Sequence, residues 1–145
     1  MALIIDTNIL LYAANNATPQ HEGCRGFLQE AVAIGDICFL PENVVYEFLR
    51  VATHPRVFPN PLPTSDAVAF LSALLAVASF KILSASENHF QILRALVTEL
   101  GRPSGNFFFG VHTVALMREH GIRRIATADM DFAKFRDLDV ISPVR

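Results

Sequence analysis

Five short apolar runs recur along this chain, and helix-patterned segments lie between them. The runs occupy residues 2–5, 37–40, 80–83, 124–127 and 140–141. Helical spacing of apolar positions covers 8–14, 20–34, 41–53, 64–78, 87–100 and 106–120. Gly35, Gly101-Arg102-Pro103 and Gly121 supply helix stops, and Thr64-Ser65-Asp66 reads as an N-capping cluster. Strands that alternate with helices predict an α/β fold around a mainly parallel sheet of four to five strands. With 145 residues the chain is expected to form one domain, 1–145, and the Pro-rich stretch 55–63 reads as a rigid loop inside it.

Two of the runs end at an aspartate. Met1-Ala2-Leu3-Ile4-Ile5 stops at Asp6, and Arg124-Ile125-Ala126-Thr127-Ala128 stops at Asp129. A parallel strand that ends this way delivers its carboxylate to the carboxyl edge of the sheet, where ligands bind in open α/β folds. Each aspartate also has a local explanation, Asp6 as a helix N-cap and Asp129 as a turn residue. Asp131 forms a D-x-D with Asp129, and is read either as a second ligand of one cation or, more strongly, as the cap of a short helix over 132–135. Glu47 sits at the edge of the apolar stripe Val44, Phe48 and Val51. It either pairs with Arg50 at i+3 or points into a polar site. A crowd of carboxylates is tolerable around a divalent cation, and Mg2+ or Mn2+ favours oxygen ligands and water.

Composition narrows the alternatives. The hydrophobic fraction is 52% and the mean hydropathy +0.35, so part of the apolar surface is expected to lie against a second copy or a partner. A net charge of −2 gives no bulk electrostatic footprint for nucleic acid, although a local basic rim can accompany an acidic centre. The longest apolar stretch, 67–80, falls short of the roughly 20 residues that span a membrane. No basic segment precedes the first apolar run, and Cys24 and Cys38 form no pair or metal spacing, which predicts a cytoplasmic protein. His21, His54, His89, His112 and His120 show no zinc spacing. No dinucleotide fingerprint, P-loop or nucleophile elbow is present. Phosphoryl chemistry of the haloacid-dehalogenase type needs an Asp two residues after the first, where this chain has Asn8.

Three motifs in order carry a family resemblance: Ile4-Ile5-Asp6-Thr7-Asn8-Ile9-Leu10-Leu11-Tyr12-Ala13, then Glu47 in a mid-chain helix, then Thr127-Ala128-Asp129-Met130-Asp131-Phe132. Together they resemble the PIN-domain ribonucleases, and the length and the ending from Phe135 through Ile141-Ser142-Pro143 resemble the VapC toxins of bacterial toxin–antitoxin pairs. The resemblance implies a three-layer α/β/α sandwich, a Mg2+-dependent endoribonuclease (Mn2+ as a substitute) acting on transfer or ribosomal RNA, a VapB-like antitoxin and a homodimer. It also implies metal-site carboxylates at Asp6, Glu47 and Asp129 with Asp131 as auxiliary, and Thr7, Asn8 and Thr127 as orienting residues. Arg50, Lys134 and Arg136 are candidates for RNA phosphates, and His112 for a proton or phosphate contact.

One position departs from the pattern. The family places a further aspartate in a motif close to G-N-x-x-x-D-x-H, and here Gly105-Asn106-Phe107-Phe108-Phe109-Gly110-Val111-His112 has glycine there. Glycine inside a helix costs roughly 0.5–1 kcal/mol relative to alanine. Gly110 is therefore read as a vacant acidic position, with close packing against the sheet as the alternative. The vacancy predicts weakened cleavage. It also keeps open a second class of function, a PIN domain that no longer cuts and acts as an RNA- or protein-binding module.

Overall fold

The computed structural model describes residues 1–144. The apolar runs become β1 (Ala2–Ile5), β2 (Ile37–Pro41), β3 (Phe80–Leu83), β4 (Arg124–Ala126) and β5 (Asp139–Ile141). They form one sheet in the order β3-β2-β1-β4-β5, with every pairing parallel. The helices are α1 (Thr7–Ala14), α2 (His21–Ala33), α3 (Glu42–Ala52), α4 (Thr64–Leu75), α5 (His89–Leu100) and α6 (Phe107–His120), and a 3₁₀ turn covers Met130–Lys134.

Side-chain alternation along β1 sorts the layers. Leu3 and Ile5 join the core shared with Leu10 of α1, Leu28 of α2, Phe48 of α3 and Leu71 of α4. Ile4 joins the opposite core, with Leu96 of α5, Val114 of α6 and Phe132 of the 3₁₀ turn. Three layers result. Leu3, Ile4 and Ile5 are fully buried, and each contributes about 1.5–3 kcal/mol by leaving water. β1 is thus covered on both faces and paired along both edges, so the residue that follows it is held firmly in place.

The chain leaves β1 toward β2 on one side, and β4 lies on the other. That reversal makes a crevice beyond the carboxyl ends of β1 and β4, the place where open parallel sheets bind ligands. The opposite edge is closed by charge. Buried Asp36 lies 3.1 Å from the N-terminal ammonium and 3.2 Å from Arg124 Nη1. Burial alone raises its carboxyl; the hydrogen bonds from Arg124 and the N-terminus reverse this and hold it below the usual range.

One local expectation is corrected here. Thr64-Ser65-Asp66 does not cap α4: Pro63 occupies the N-cap position with φ −56° and ψ 147°, and no side chain caps the helix. The fixed proline φ presets the extended approach, so Thr64 falls inside the first turn instead of capping it. Cys24 and Cys38 are buried and unpaired, and burial pushes both thiols up to about 11, which leaves them inert.

Candidate active site

Asp6 follows β1 directly. Its backbone N–H donates to Ala126 O at 3.0 Å, and its Oδ1 accepts from Thr7 N at 2.8 Å, capping α1. Its Oδ2 accepts from Thr127 Oγ1 at 2.7 Å and from Asn8 Nδ2 at 3.3 Å. Thr127 is 1% exposed, and its hydroxyl also accepts from Asn8 Nδ2 at 3.3 Å and from Asp129 N at 2.9 Å. Asn8 Oδ1 accepts from Ala128 N at 3.0 Å. Asn8 and Thr127 thus lace the end of β1 to the loop after β4. The donor and acceptor capacity of the hydroxyl is fully used, which fixes the direction of its proton toward Asp6.

Asp6, Glu47 and Asp129 come from the end of β1, the middle of α3 and the loop after β4, and all three line one cleft of about 240 Å³. Gly110, Asn43 and Asn106 line it too. Among the described residues no lysine or arginine does. Burial pushes the Asp6 carboxyl up, hydrogen bonds from Thr127 and Thr7 pull it back, and the negative charges of Glu47 and Asp129 push it up again; the balance is upward. A cation in this cleft would relieve that repulsion.

α3 aims Glu47 into the cleft because Val44 and Phe48 turn into the core on either side of it. Glu47 makes no ion pair with Arg50 among the described residues. Asn43 stands one turn earlier on the same face and donates from Nδ2 to Thr113 Oγ1 at 3.1 Å, tying α3 to α6. Its Oδ1 is buried without a hydrogen-bond partner. Buried acceptors are normally satisfied, so an open oxygen on a residue that lines the cleft marks a place for a donor or a cation.

The expected cap falls to the other late aspartate, while Asp129 keeps its place in the cleft. Asp129, not Asp131, caps the 3₁₀ turn, with Oδ1 accepting from Asp131 N at 2.9 Å. The turn starts at Met130, two residues before the predicted helix, so the cap moves back with it. Asp131 does not line the carboxylate cleft. It faces an adjoining depression that shares Gly110, Asp129 and Phe132 with the cleft, and it pairs with Lys134 at 3.4 Å. Among the described residues no three His, Cys, Asp or Glu side chains stand close enough to form a ready-made cation cage.

Gly110 has room for a side chain. A Cβ there would meet only the Phe132 ring, with Cζ at 3.7 Å and Cε1 at 3.9 Å, an ordinary contact distance. Close packing does not account for this glycine.

The other expected residues stand outside the cleft. His112 packs edge-on against His89 of α5, with ring centroids 5.5 Å apart. Burial and then the His89 charge push its imidazole down, against a smaller upward pull from Glu42. Arg50 is exposed in the last turn of α3. Lys134 lies 5.1 Å over the Phe107 ring, and Arg136 lines a separate depression with Glu99 and Asp137. Asn43, Asn106, Thr113 and Phe109 are cleft residues that sequence reasoning missed. The spacing of Asn43 and Glu47, four apart on one helix, was the available signal for the first.

Comparison with known proteins agrees with this geometry. The PIN domain family model matches residues 3–138. The ribonuclease VapC33 of Mycobacterium tuberculosis is 34% identical over 146 residues, covering 99% of each chain. The ribonuclease VapC43 of the same species is 32% identical over 136 residues, covering 94% of this chain and 91% of that one. Among solved structures, VapBC2 from Rickettsia felis bound to a promoter DNA fragment superposes with a TM-score of 0.72 at 18% identity, covering 98% of both chains. VapC20 of Mycobacterium tuberculosis, described as a Sarcin-Ricin loop cleaving toxin, superposes with a TM-score of 0.64 at 17% identity over 91% of this chain and 93% of that one. Strand-end carboxylates at a switch point, the whole-chain fold and relatives matched from end to end converge: this chain belongs to the PIN-domain family and, within it, to the VapC ribonucleases.

Proposed function

We propose that this chain is the toxin of a type II toxin–antitoxin pair and cuts RNA as a divalent-metal-dependent endoribonuclease, with the carboxylate cleft as its active centre. The observation that carries the reading is the arrival of Asp6, Glu47 and Asp129 from three separate segments in one cleft. The curated relatives named as ribonucleases and the VapBC structural neighbours support it.

The donor set is oxygen only, which fits Mg2+ or Mn2+. Asp6, Glu47 and Asp129 would hold the ion, with the open Oδ1 of Asn43 as a further oxygen and Asp131 as an auxiliary at the edge. Three carboxylates that are not preassembled suit an ion that keeps much of its water, as Mg2+ does. Such a cation supplies Lewis acidity toward a phosphodiester and the attacking water. The chain's own work is positional. Thr127 and Asn8 hold Oδ2 of Asp6, the Thr7 amide holds Oδ1, and the orientation of Asp6 is settled before substrate arrives. Asn43 and Thr113 hold α3 against α6, so Glu47 keeps its distance from the sheet edge.

Gly110 weakens this centre. A Cβ fits at position 110 on the cleft wall, where glycine supplies no ligand, and affinity for hard cations follows the number and charge of the ligands. The same vacancy favours a second reading, a PIN domain that binds RNA or protein without cutting. A VapB-like antitoxin, a homodimer and a cytoplasmic site of action complete the proposal. Among the described residues no helix is long and apolar enough to cross a membrane.

The test is cleavage of total RNA with Mg2+ and with chelator, using the wild type, Asp6→Asn, Glu47→Gln and Gly110→Asp. Metal-dependent cutting that the two carboxylate variants abolish and Gly110→Asp accelerates supports the enzyme. No cutting by any of the four, with folded protein by circular dichroism, leaves the binding module.

A further inference from the structure

Among the described residues the carboxylate cleft is lined by three acids and no cationic side chain, yet its substrate on the reading above is a polyanion. Charge compensation for the rest of the RNA must come from elsewhere on the surface. The adjoining depressions form a connected series. The cleft shares Gly110, Asp129 and Phe132 with a second depression, which also holds Phe107 and Asp131. Phe107 and Asp131 recur in a third, beside Arg102 and Lys134. Lys134 recurs in a fourth, beside Arg136 and Arg118. A furrow therefore runs from the carboxylates, past the amino end of α6, onto a shelf with four basic residues.

The four are not equivalent. Arg118 is held by Glu99 at 2.7 Å and by Asp137 at 3.1 Å, so its charge is already spent on joining α6 to the loop before β5. Arg102 and Arg136 are exposed and make no ion pair among the described residues. Among the described residues Lys134 pairs only with Asp131, both side chains more than half exposed, a contact that a phosphate can exchange. The Phe107 ring beneath Lys134 keeps its ammonium on the line of the furrow.

We propose that single-stranded RNA leaves the cleft along this furrow and that Arg102, Lys134 and Arg136 hold its backbone phosphates on the shelf. The inference rests on the ribonuclease reading of the cleft and adds the path of the substrate. The phosphate contacts carry no sequence information; they fix register, so that one phosphodiester is presented to the carboxylates.

The test measures affinity for a labelled random-sequence single-stranded RNA across a salt series, in a Glu47→Gln background with Mg2+ to stop turnover. Each phosphate contact in a single strand contributes about −0.7 to the slope of log affinity against log salt. Arg102→Gln, Lys134→Gln and Arg136→Gln should each flatten the slope by about that amount, and the triple variant by about 2. Arg25→Gln, on α2 in the opposite layer, is the control and should leave it unchanged. Unchanged slopes in a protein that still cuts RNA without the Glu47 change overturn the furrow and spare the ribonuclease reading. Equal flattening by Arg25→Gln shows diffuse attraction and overturns the furrow too. Unchanged slopes with loss of a coexpressed antitoxin from the triple variant assign the shelf to that protein instead. No RNA binding by any form overturns furrow and reading together.

Discussion

Replacing Gly110 by aspartate is the most incisive perturbation, because the structure predicts opposite effects with and without a cation. A Cβ at 110 meets the Phe132 ring at 3.7 Å, so alanine displaces no neighbour there, and aspartate enters by the same Cβ. Gly110→Ala should stabilise by about 0.5–1 kcal/mol from backbone entropy alone. For a chain of this size that raises Tm by roughly 1–4 °C. Aspartate gains less from propensity, since it ranks just above glycine in helices. It gains about 0.3–1 kcal/mol from the α6 dipole, because position 110 is in the first turn and that turn holds no acid. Repulsion opposes this. Position 110 shares its cleft with Asp6, Glu47 and Asp129, and unit charges separated by about 6 Å would repel by roughly 2–3 kcal/mol at an effective dielectric of 20. In chelator Gly110→Asp should therefore melt several degrees below Gly110→Ala. Saturating Mg2+ should reverse much of that gap, since a ligand at about 100 times its Kd contributes about 2.7 kcal/mol. Thermal melts of wild type and both variants, in chelator and in Mg2+ at matched ionic strength, read the difference directly. If Gly110→Asp matches Gly110→Ala in chelator and gains no more from Mg2+ than wild type does, position 110 does not face the carboxylates. Equal cleavage rates for wild type and Gly110→Asp at saturating Mg2+ would sink the idea that the glycine weakens the site.

Three further outcomes follow from the same geometry. Asp6 is raised in the folded state, mainly by burial, so its protonated form is favoured there; the stability this gives is present below pH 4 and lost as pH rises through the raised value. Melts in chelator should show that loss as pH rises above 4, and Mg2+ should suppress it; the Mg2+-minus-chelator difference removes His112, whose lowered value acts in the opposite direction by costing stability as pH falls below 6.5. Identical profiles with and without Mg2+ would count against a cation at Asp6. Thr127→Val keeps the shape but strands Asp129 N and removes the 2.7 Å bond to Asp6, at a cost of about 1–3 kcal/mol in urea unfolding and a fall in cleavage, whereas Thr127→Ser should retain most of both. Glu119, whose side chain is 3% exposed, accepts from Ser86 N at 2.5 Å, from the Ser86 hydroxyl and from His89 Nδ1 at 3.1 Å. Glu119→Gln should loosen the start of α5, seen as faster amide exchange over 86–92, at about 1–3 kcal/mol and with cleavage per folded molecule unchanged, since Glu119 is not on the cleft.

The apolar runs carried most of the fold because each is too short for a helix and is bounded by helix stops, so strand period and helix period separate cleanly. Run 80–83 and run 124–127 were legible as strands, but not their places in the sheet. That β4 lies beside β1 depends on α6 packing over Ile4 and Ile125, contacts between residues far apart in sequence. Glu47 was legible as a polar residue at the edge of an apolar stripe, whereas Asn106 and Phe109 precede or open a helix whose apolar residues run all around it, so no face pattern marks them. The cap moved from Asp131 to Asp129 because the turn begins two residues before the predicted helix, while Asp129 kept its place in the cleft.

Asp6 and Asp129 show why a local explanation and a functional one need not compete. Asp6 is an N-cap, as its position after β1 allows, and its Oδ1 is occupied by the Thr7 amide. Its Oδ2 is held by Thr127 and Asn8 from across the sheet edge. Asp129 caps the 3₁₀ turn through Oδ1 in the same way. A cap fixes the side-chain rotamer, and a metal ligand must be fixed before the ion arrives or lose affinity to ordering. On the proposed metal site, the capping hydrogen bond at both strand ends would therefore serve ion binding as well. Removing the cap acceptor while keeping a carboxylate, as Asp6→Glu does by moving Oδ1 outward, should loosen α1 and weaken Mg2+ binding together. Helix loosening read by amide exchange over 7–10 and the Mg2+-induced rise in Tm should shift in the same variant. A normal Mg2+ response with a frayed α1 would separate the two roles.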